Sequence, residues 1–349
     1  MFSFYIIKIL FLTTMAFIFA MAFTPFLTHF LYKHKLGKQI KNNGKTPIFT
    51  KLHAHKQGTP TMGGVLIWVT VLFFSVLFFY LAKFFPESFF QNLNFLSRSQ
   101  TLLPLGVLIA TALVGLFDDW LDVRAKGILG GGGLNIFYRL LIYTIIAIIG
   151  AWWFYYKLGW DIFHVPFLGD YQLGWQYIFI FIFVIVATAF SVNETDGLDG
   201  LAGGVLLTSF VAFGVIAFAM GKFDLAAFCG VIVGALLAFL WFNINPARFY
   251  MGDTGAMSLG ITLGIIALLT NAVLILPVIG LIFVVESASV IIQVIAKNVY
   301  GKKVFLSTPI HHHFEAKGWP EPKIVMRFWV IASVSAAVGL IIFLLDKST

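Results

Sequence analysis

Cysteine is almost missing from this sequence. Cys229 is the only one in 349 residues, so no intrachain disulfide can form, and its place inside an apolar run gives it a packing role. Charge is scarce as well: Asp, Glu, Lys and Arg make up 11% of the chain. No Gly-Lys-Ser/Thr phosphate loop and no aromatic-basic nucleic-acid motif occurs, so Walker-type nucleotide binding and nucleic-acid partners are both set aside. Apolar residues fill the space instead, with 60% hydrophobic residues, 40 phenylalanines and a mean hydropathy of +0.95. A soluble globule could not cover that much apolar surface, so the solvent of this chain is lipid.

The first apolar run contains Ala20-Met21-Ala22, which imitates a signal-peptide cleavage site. It continues through Phe30 with Lys8 as its only early cation, and therefore reads as an uncleaved first membrane helix. Apolar runs long enough to span a bilayer start near Phe4, Gly63, Leu102, Phe137, Leu173, Leu201, Leu225, Ala256, Ala272 and Met326, with a kink expected at Pro277 in the ninth. The expected fold is all-α, a polytopic integral membrane protein of about ten helices forming a single domain over residues 1–349.

Ten spans sort the connecting segments into two sets. The set comprising 33–62, 118–139, 191–200, 243–255 and 297–327 holds 17 of the Lys and Arg residues, against 6 in the other set and near the termini. By the positive-inside rule the first set faces the cytoplasm, and the net charge of +8 reflects membrane orientation. The same set holds Asp118, Asp119, Asp122, Glu194, Asp196, Asp199, Asp253, Glu315 and Glu321, together with His311, His312 and His313. Acids, amides and imidazoles from five loops thus converge on one face.

"FDDWLD" (117–122) packs three carboxylates into six residues. Adjacent carboxylates repel, and a hard cation such as Mg2+ would reconcile them; the bland alternative is a solvated helix end. "NETDGLDGLAGG" (193–204) and "NINPARFYMGDTGAMSLG" (243–260) each combine an amide, acids and glycines that let backbone approach a ligand. Each could also be a helix cap, an account that two such loops on one face weaken. In "STPIHHHFE" (307–315), three consecutive imidazoles cannot all face one point, so phosphate contact suits them better than a zinc site. "HAHKQGTPTMGG" (53–64) brings Lys56 and two threonines to the start of the second helix, where freed amides favour an anion; attraction to acidic lipid would explain only its lysines. Glu286 lies within an apolar run, either functional or helix glue with Ser287, Ser289 or Gln293.

"GTPTMGG", "DDW", "NETDGLDGLA", "NINPARFYMGDTG" and "PIHHHFE", in this order over nearly the whole chain, resemble the phospho-N-acetylmuramoyl-pentapeptide-transferase family of the polyprenyl-phosphate N-acetylhexosamine-1-phosphate transferase superfamily. The resemblance implies a magnesium-dependent membrane enzyme, commonly a homodimer, with its active site on the cytoplasmic side of the bacterial inner membrane. Its partners would be UDP-N-acetylmuramoyl-pentapeptide and undecaprenyl phosphate, and its products lipid I and UMP. It further implies Asp253 as a Mg2+ ligand, Asp118 as the group that activates the lipid phosphate, and Asp119 in support of either role. Asp196, Gly197, Leu198, Asp199, Asn243 and Tyr250 would form the uridine pocket. Lys56, Thr61, Asn193, Gln293, His311, His312 and His313 would surround the diphosphate and sugar.

Four departures stand against that pattern. Asp122 replaces a usual lysine, Tyr250 a phenylalanine and Glu194 an apolar residue, and "KGILGGGGLNIFYR" leaves Lys126 placed but Arg139 open as the further cation. A relative that transfers N-acetylhexosamine 1-phosphate would share the acid motifs but normally lacks "PIHHHFE" and "GTPTMGG". A magnesium or proton-coupled transporter would set its carboxylates at mid-membrane, whereas here all but Glu286 lie at helix ends.

Overall fold

The computed structural model describes residues 2–37, 56–124 and 134–348. Its helices are α1 (Phe2–Lys33), α2 (Val65–Phe84), α3 (Phe89–Leu93), α4 (Leu102–Val123), α5 (Ile136–Trp152), α6 (Tyr177–Thr195), α7 (Leu201–Ala219), α8 (Phe223–Asn243), α9 (Gly252–Leu269), α10 (Leu276–Ile279), α11 (Leu281–Tyr300), α12 (Ile310–Ala316) and α13 (Glu321–Ser348). Between α5 and α6 lies an antiparallel hairpin, β1 (Ile162–Val165) with β2 (Gly169–Gln172), pairing Phe163 with Tyr171. Among the described residues ten helices are long and apolar enough to cross a membrane, so the chain is an all-α polytopic membrane protein.

Helix α9 runs through the middle. Every residue from Thr254 to Leu269 is buried, as expected of a helix that is apolar all round, and it packs on α4 and α6. In lipid, helices gain little from hydrophobic burial against one another and rely on close packing, which small residues permit. Gly115 on α4 is such a place: a Cβ there would lie 2.4 Å from the carbonyl oxygen of Asp253. The backbones of α4 and α9 therefore touch one turn below the paired acids.

The ninth span differs from the sequence expectation. It does not begin near Ala272 and kink at Pro277. Instead Pro277 lies in the first turn of the four-residue α10, where its missing N–H costs nothing. The direction changes at Gly280, whose φ of −92° and ψ of 32° are not helical, and the long helix starts at Leu281.

The segments 56–64, 118–139, 191–200, 243–255 and 304–321, where described, meet at one end of the bundle. At the other end Lys8 donates to the Asn94 carbonyl (2.8 Å) and pairs with Asp224 (3.3 Å). There too His164 of β1 joins Asp170 (2.7 Å) of β2 to Asp346 (2.6 Å) of α13.

Candidate functional site

Helix α4 continues past Phe117 to Val123, and the paired acids at its end are buried, with Asp118 at 3% exposure and Asp119 at 4%. A solvated helix end is thereby excluded. The two carboxylates face different partners. Asp119 accepts the backbone N–H groups of Asp253 and Thr254, both at 3.0 Å, and Thr61 donates to it at 3.3 Å. It thus caps the N-terminus of α9 from a neighbouring helix, neutralising donors that α9 cannot satisfy itself. Asp118 turns instead toward Arg139 on α5, with Oδ2 2.9 Å from Nε, while its Oδ1 accepts from Leu134 N–H at 2.5 Å.

Arg139 is the centre of this cluster. Its Nη2 donates to Asp253 Oδ2 at 2.7 Å and its Nη1 to Asn193 Oδ1 at 3.1 Å, while Asn193 Nδ2 donates to Asp253 Oδ1. Three oxygens from α4, α6 and α9 therefore surround one guanidinium. Coulomb attraction to Asp253 and Asp118 holds them there. The sequence left Arg139 open; its position one helical turn into α5, level with the acids, gives it this place.

A second ionic cluster lies beside the first. Lys56 donates to Asp199 (2.6 Å) and Glu321 (2.5 Å), and is itself only 9% exposed. Burial disfavours its charge, but Glu321 and Asp199 outweigh that and hold the ammonium above the usual lysine range. Asn245 Nδ2 and Ala247 N–H also donate to Asp199 Oδ2, both at 3.0 Å, and Asp199 N–H donates to Glu321 at 2.6 Å. Glu321 and Asn245 had no role assigned from sequence, although a glutamate between Pro320 and Pro322 at a helix start was a visible signal. Asn243 braces the same region, accepting from Gly200 N–H (2.9 Å) and donating to the Phe249 carbonyl (2.8 Å). Tyr250 places its ring 6.0 Å from Lys56 Nζ and stays half-buried; burial raises its phenol.

Amides expected to be open to an anion are already used. Gly63 and Gly64 N–H donate to the carbonyls of Tyr250 (2.7 Å) and Met251 (2.8 Å), so the start of α2 binds the 243–255 loop. Asp196 ends α6, its N–H donating to Asn193 O, and Leu198 is buried. The three imidazoles diverge as their adjacency requires. His311 Nδ1 lies 2.9 Å from Glu286, His312 Nδ1 2.6 Å from Glu315, and His313 Nδ1 accepts from Leu306 N–H at 3.1 Å. Burial and nearby Lys317 lower the pKa of His313.

Glu286 and His311 are fully buried, so Glu286 bonds neither Ser287, Ser289 nor Gln293 through its side chain but pairs with an imidazole from α12. The His311 ring rests on Gly197, where a Cβ would come within 2.2 Å of Nε2. Gln293 accepts from Val304 and Phe305 N–H, both at 3.0 Å, and donates to Phe305 O, tying down the loop before α12. Lys126 and Gly130–Gly133 lie outside the described residues.

Acid-bearing loops gathered at one end of a membrane bundle define a class, and the glycosyl transferase family 4 profile matches residues 101–271, from α4 through α9. The phospho-N-acetylmuramoyl-pentapeptide-transferase signature 1 matches residues 56–67, the stretch that carries Lys56 and Thr61. The phospho-N-acetylmuramoyl-pentapeptide-transferase of Chloroflexus aggregans is 40% identical, over 98% of this chain and 91% of its own. That of Bacillus subtilis is 37% identical, over 96% and 97% respectively. The chain belongs to the phospho-N-acetylmuramoyl-pentapeptide-transferase family.

Proposed function

We propose that this enzyme transfers phospho-N-acetylmuramoyl-pentapeptide from its uridine diphosphate carrier to undecaprenyl phosphate, forming lipid I and releasing UMP, on the cytoplasmic side of the bacterial inner membrane. The observation that carries this reading is the convergence of Asp118, Asn193 and Asp253 oxygens on one cationic point at a bundle end. Oxygen donors of this kind suit Mg2+, and Asp118 and Asp253 would hold it with the Asn193 carbonyl as a third donor. Among the described residues no three His, Cys, Asp or Glu side chains form such a group, in keeping with an amide as the third donor and with waters completing the shell. Bound there, Mg2+ would neutralise charge on the diphosphate as two anions approach.

The remaining work falls to the chain. Asp118 orients the lipid phosphate and takes its proton. Asp119 fixes Asp253 through the cap on α9. Tyr250, Asn243 and the 196–199 turn hold the uridine, with Lys56 and His313 toward the phosphates and sugar. An apolar cavity of about 240 Å³ runs from Phe163 and Leu274 at the far end past Thr188 and Phe283 to Ser191, and would suit the apolar polyprenyl chain.

The test is UMP release by detergent-purified protein given Mg2+ and both substrates. Release from UDP-N-acetylglucosamine in preference to the muramoyl-pentapeptide nucleotide would overturn the substrate, and flux of Mg2+ into proteoliposomes without nucleotide would replace the enzyme by a transporter.

A further inference from the structure

We infer that Arg139 is a resident counter-cation of the acid site that must leave for a divalent cation to enter, and that Glu194 is the residue that receives it. The inference rests on the proposed metal site. Three observations carry it. First, the guanidinium occupies the point on which Asp118 Oδ2, Asn193 Oδ1 and Asp253 Oδ2 converge, at 2.9, 3.1 and 2.7 Å. A hard cation and a guanidinium cannot share those oxygens, because both positive charges would occupy the same few ångströms.

Second, the site does not fit the arginine perfectly. Nε lies 2.9 Å from Asp118 Oδ2, but its N–H is not aligned on that oxygen and, among the described residues, it is buried without a hydrogen bond. Two guanidinium nitrogens are aligned on oxygens and the third is not, and at 28% exposure the side chain has room to turn.

Third, a place to turn to exists. A cavity of about 70 Å³ opens beside Arg139 between α5 and α6, lined by Leu140, Tyr143, Phe190, Asn193 and Glu194. Among the described residues the Glu194 carboxylate makes no hydrogen bond or ion pair, although its charge already interacts with Arg139. A half-buried acid that makes no hydrogen bond or ion pair among the described residues, next to a movable cation, is a second station for that cation. With Arg139 at Asp118 and Asp253, the oxygens are kept assembled without metal. With Arg139 at Glu194, they are open. Glu194 therefore lowers the cost of opening and strengthens metal binding from a distance.

The experiment is Mn2+ binding to the purified full-length protein, read by electron paramagnetic resonance of free Mn2+ without substrates. Arg139→Gln should bind Mn2+ at least about tenfold more tightly than the wild type, and Glu194→Gln several-fold more weakly. In the double variant the Glu194→Gln effect should vanish, because no arginine remains to be received; simple charge effects of two independent residues would add instead. Arg139→Lys, which keeps the charge but cannot reach three oxygens at once, should lie between wild type and Arg139→Gln and guards against a folding defect in the latter. Unchanged affinity in Arg139→Gln, or additive effects in the double variant, would overturn the inference while leaving the metal site standing. Binding that is absent in the wild type, or indifferent to Asp253→Asn, would overturn the metal site and the inference together.

Discussion

The two ionic clusters at the acid-bearing end share a plan, one cation between two carboxylates, yet differ in how firmly it is held. Arg139 is 28% exposed, borders a cavity and has one misaligned contact. Lys56 is 9% exposed, and its two acids are themselves held by Asn245, Ala247 N–H and Asp199 N–H. Buried ions are expensive to desolvate, so a cluster that satisfies every oxygen becomes part of the framework, whereas one with slack can exchange its cation. The first cluster is accordingly suited to chemistry, and the second to holding the 196–199 turn, the 245–247 turn and the start of α13 in one arrangement.

Exchanging the acids tests that distinction most severely. Asp253→Asn should lower UMP release by on the order of 10³-fold and cost less thermal stability than loss of the Lys56 cation, although its single amide oxygen can accept from only one of Arg139 and Asn193. Equal losses of activity and stability would erase the contrast between the clusters. Lys56→Met should strike stability first, costing about 3–5 kcal/mol by leaving Asp199 and Glu321 facing each other without a cation, with turnover lost as the 196–199 turn loosens; reversible denaturation in mild detergent measures it.

Asp119 sharpens the comparison within one pair of neighbours. Asp119→Ala should destabilise by about 1–2 kcal/mol through loss of the cap on α9, and Asp119→Asn by a comparable amount, since each oxygen accepts a different backbone N–H and an amide has only one acceptor. Asp118→Asn should abolish turnover with little change in melting temperature. The smallest effect belongs to the far end. Burial opposes the His164 charge, but hydrogen bonds to Asp346 and Asp170 prevail and raise its pKa. Its contribution to stability is therefore complete below about pH 6.5, the usual histidine value, and disappears as pH rises through the raised folded value. The melting-temperature gap between wild type and His164→Gln should shrink from pH 6 to pH 9, and a constant gap would refute the charged pair.

Ten helices were legible because bilayer thickness imposes a length on each apolar run, and the gathering of five loops because charge bias sorts them by side. The ninth span misled because hydropathy does not register a backbone turn at Gly280 between two apolar stretches. The paired acids were legible as a cluster, but not their different partners: which carboxylate caps α9 depends on how α4 and α9 cross. Glu321 and Arg139 were hidden for a related reason. Their importance comes from partners on other helices, Lys56 for Glu321 and Asp118, Asn193 and Asp253 for Arg139, and no local pattern records how those helices meet.

Where α4 meets α9, Gly115 has a reach beyond its size. The bare backbone there sets how deeply one rod seats against the other, and so calibrates the gap between the acids a turn above. Any side chain at that position would act as a shim, widening the gap without meeting a ligand. The spacing of the acids is thus fixed by an atom that the sequence leaves out.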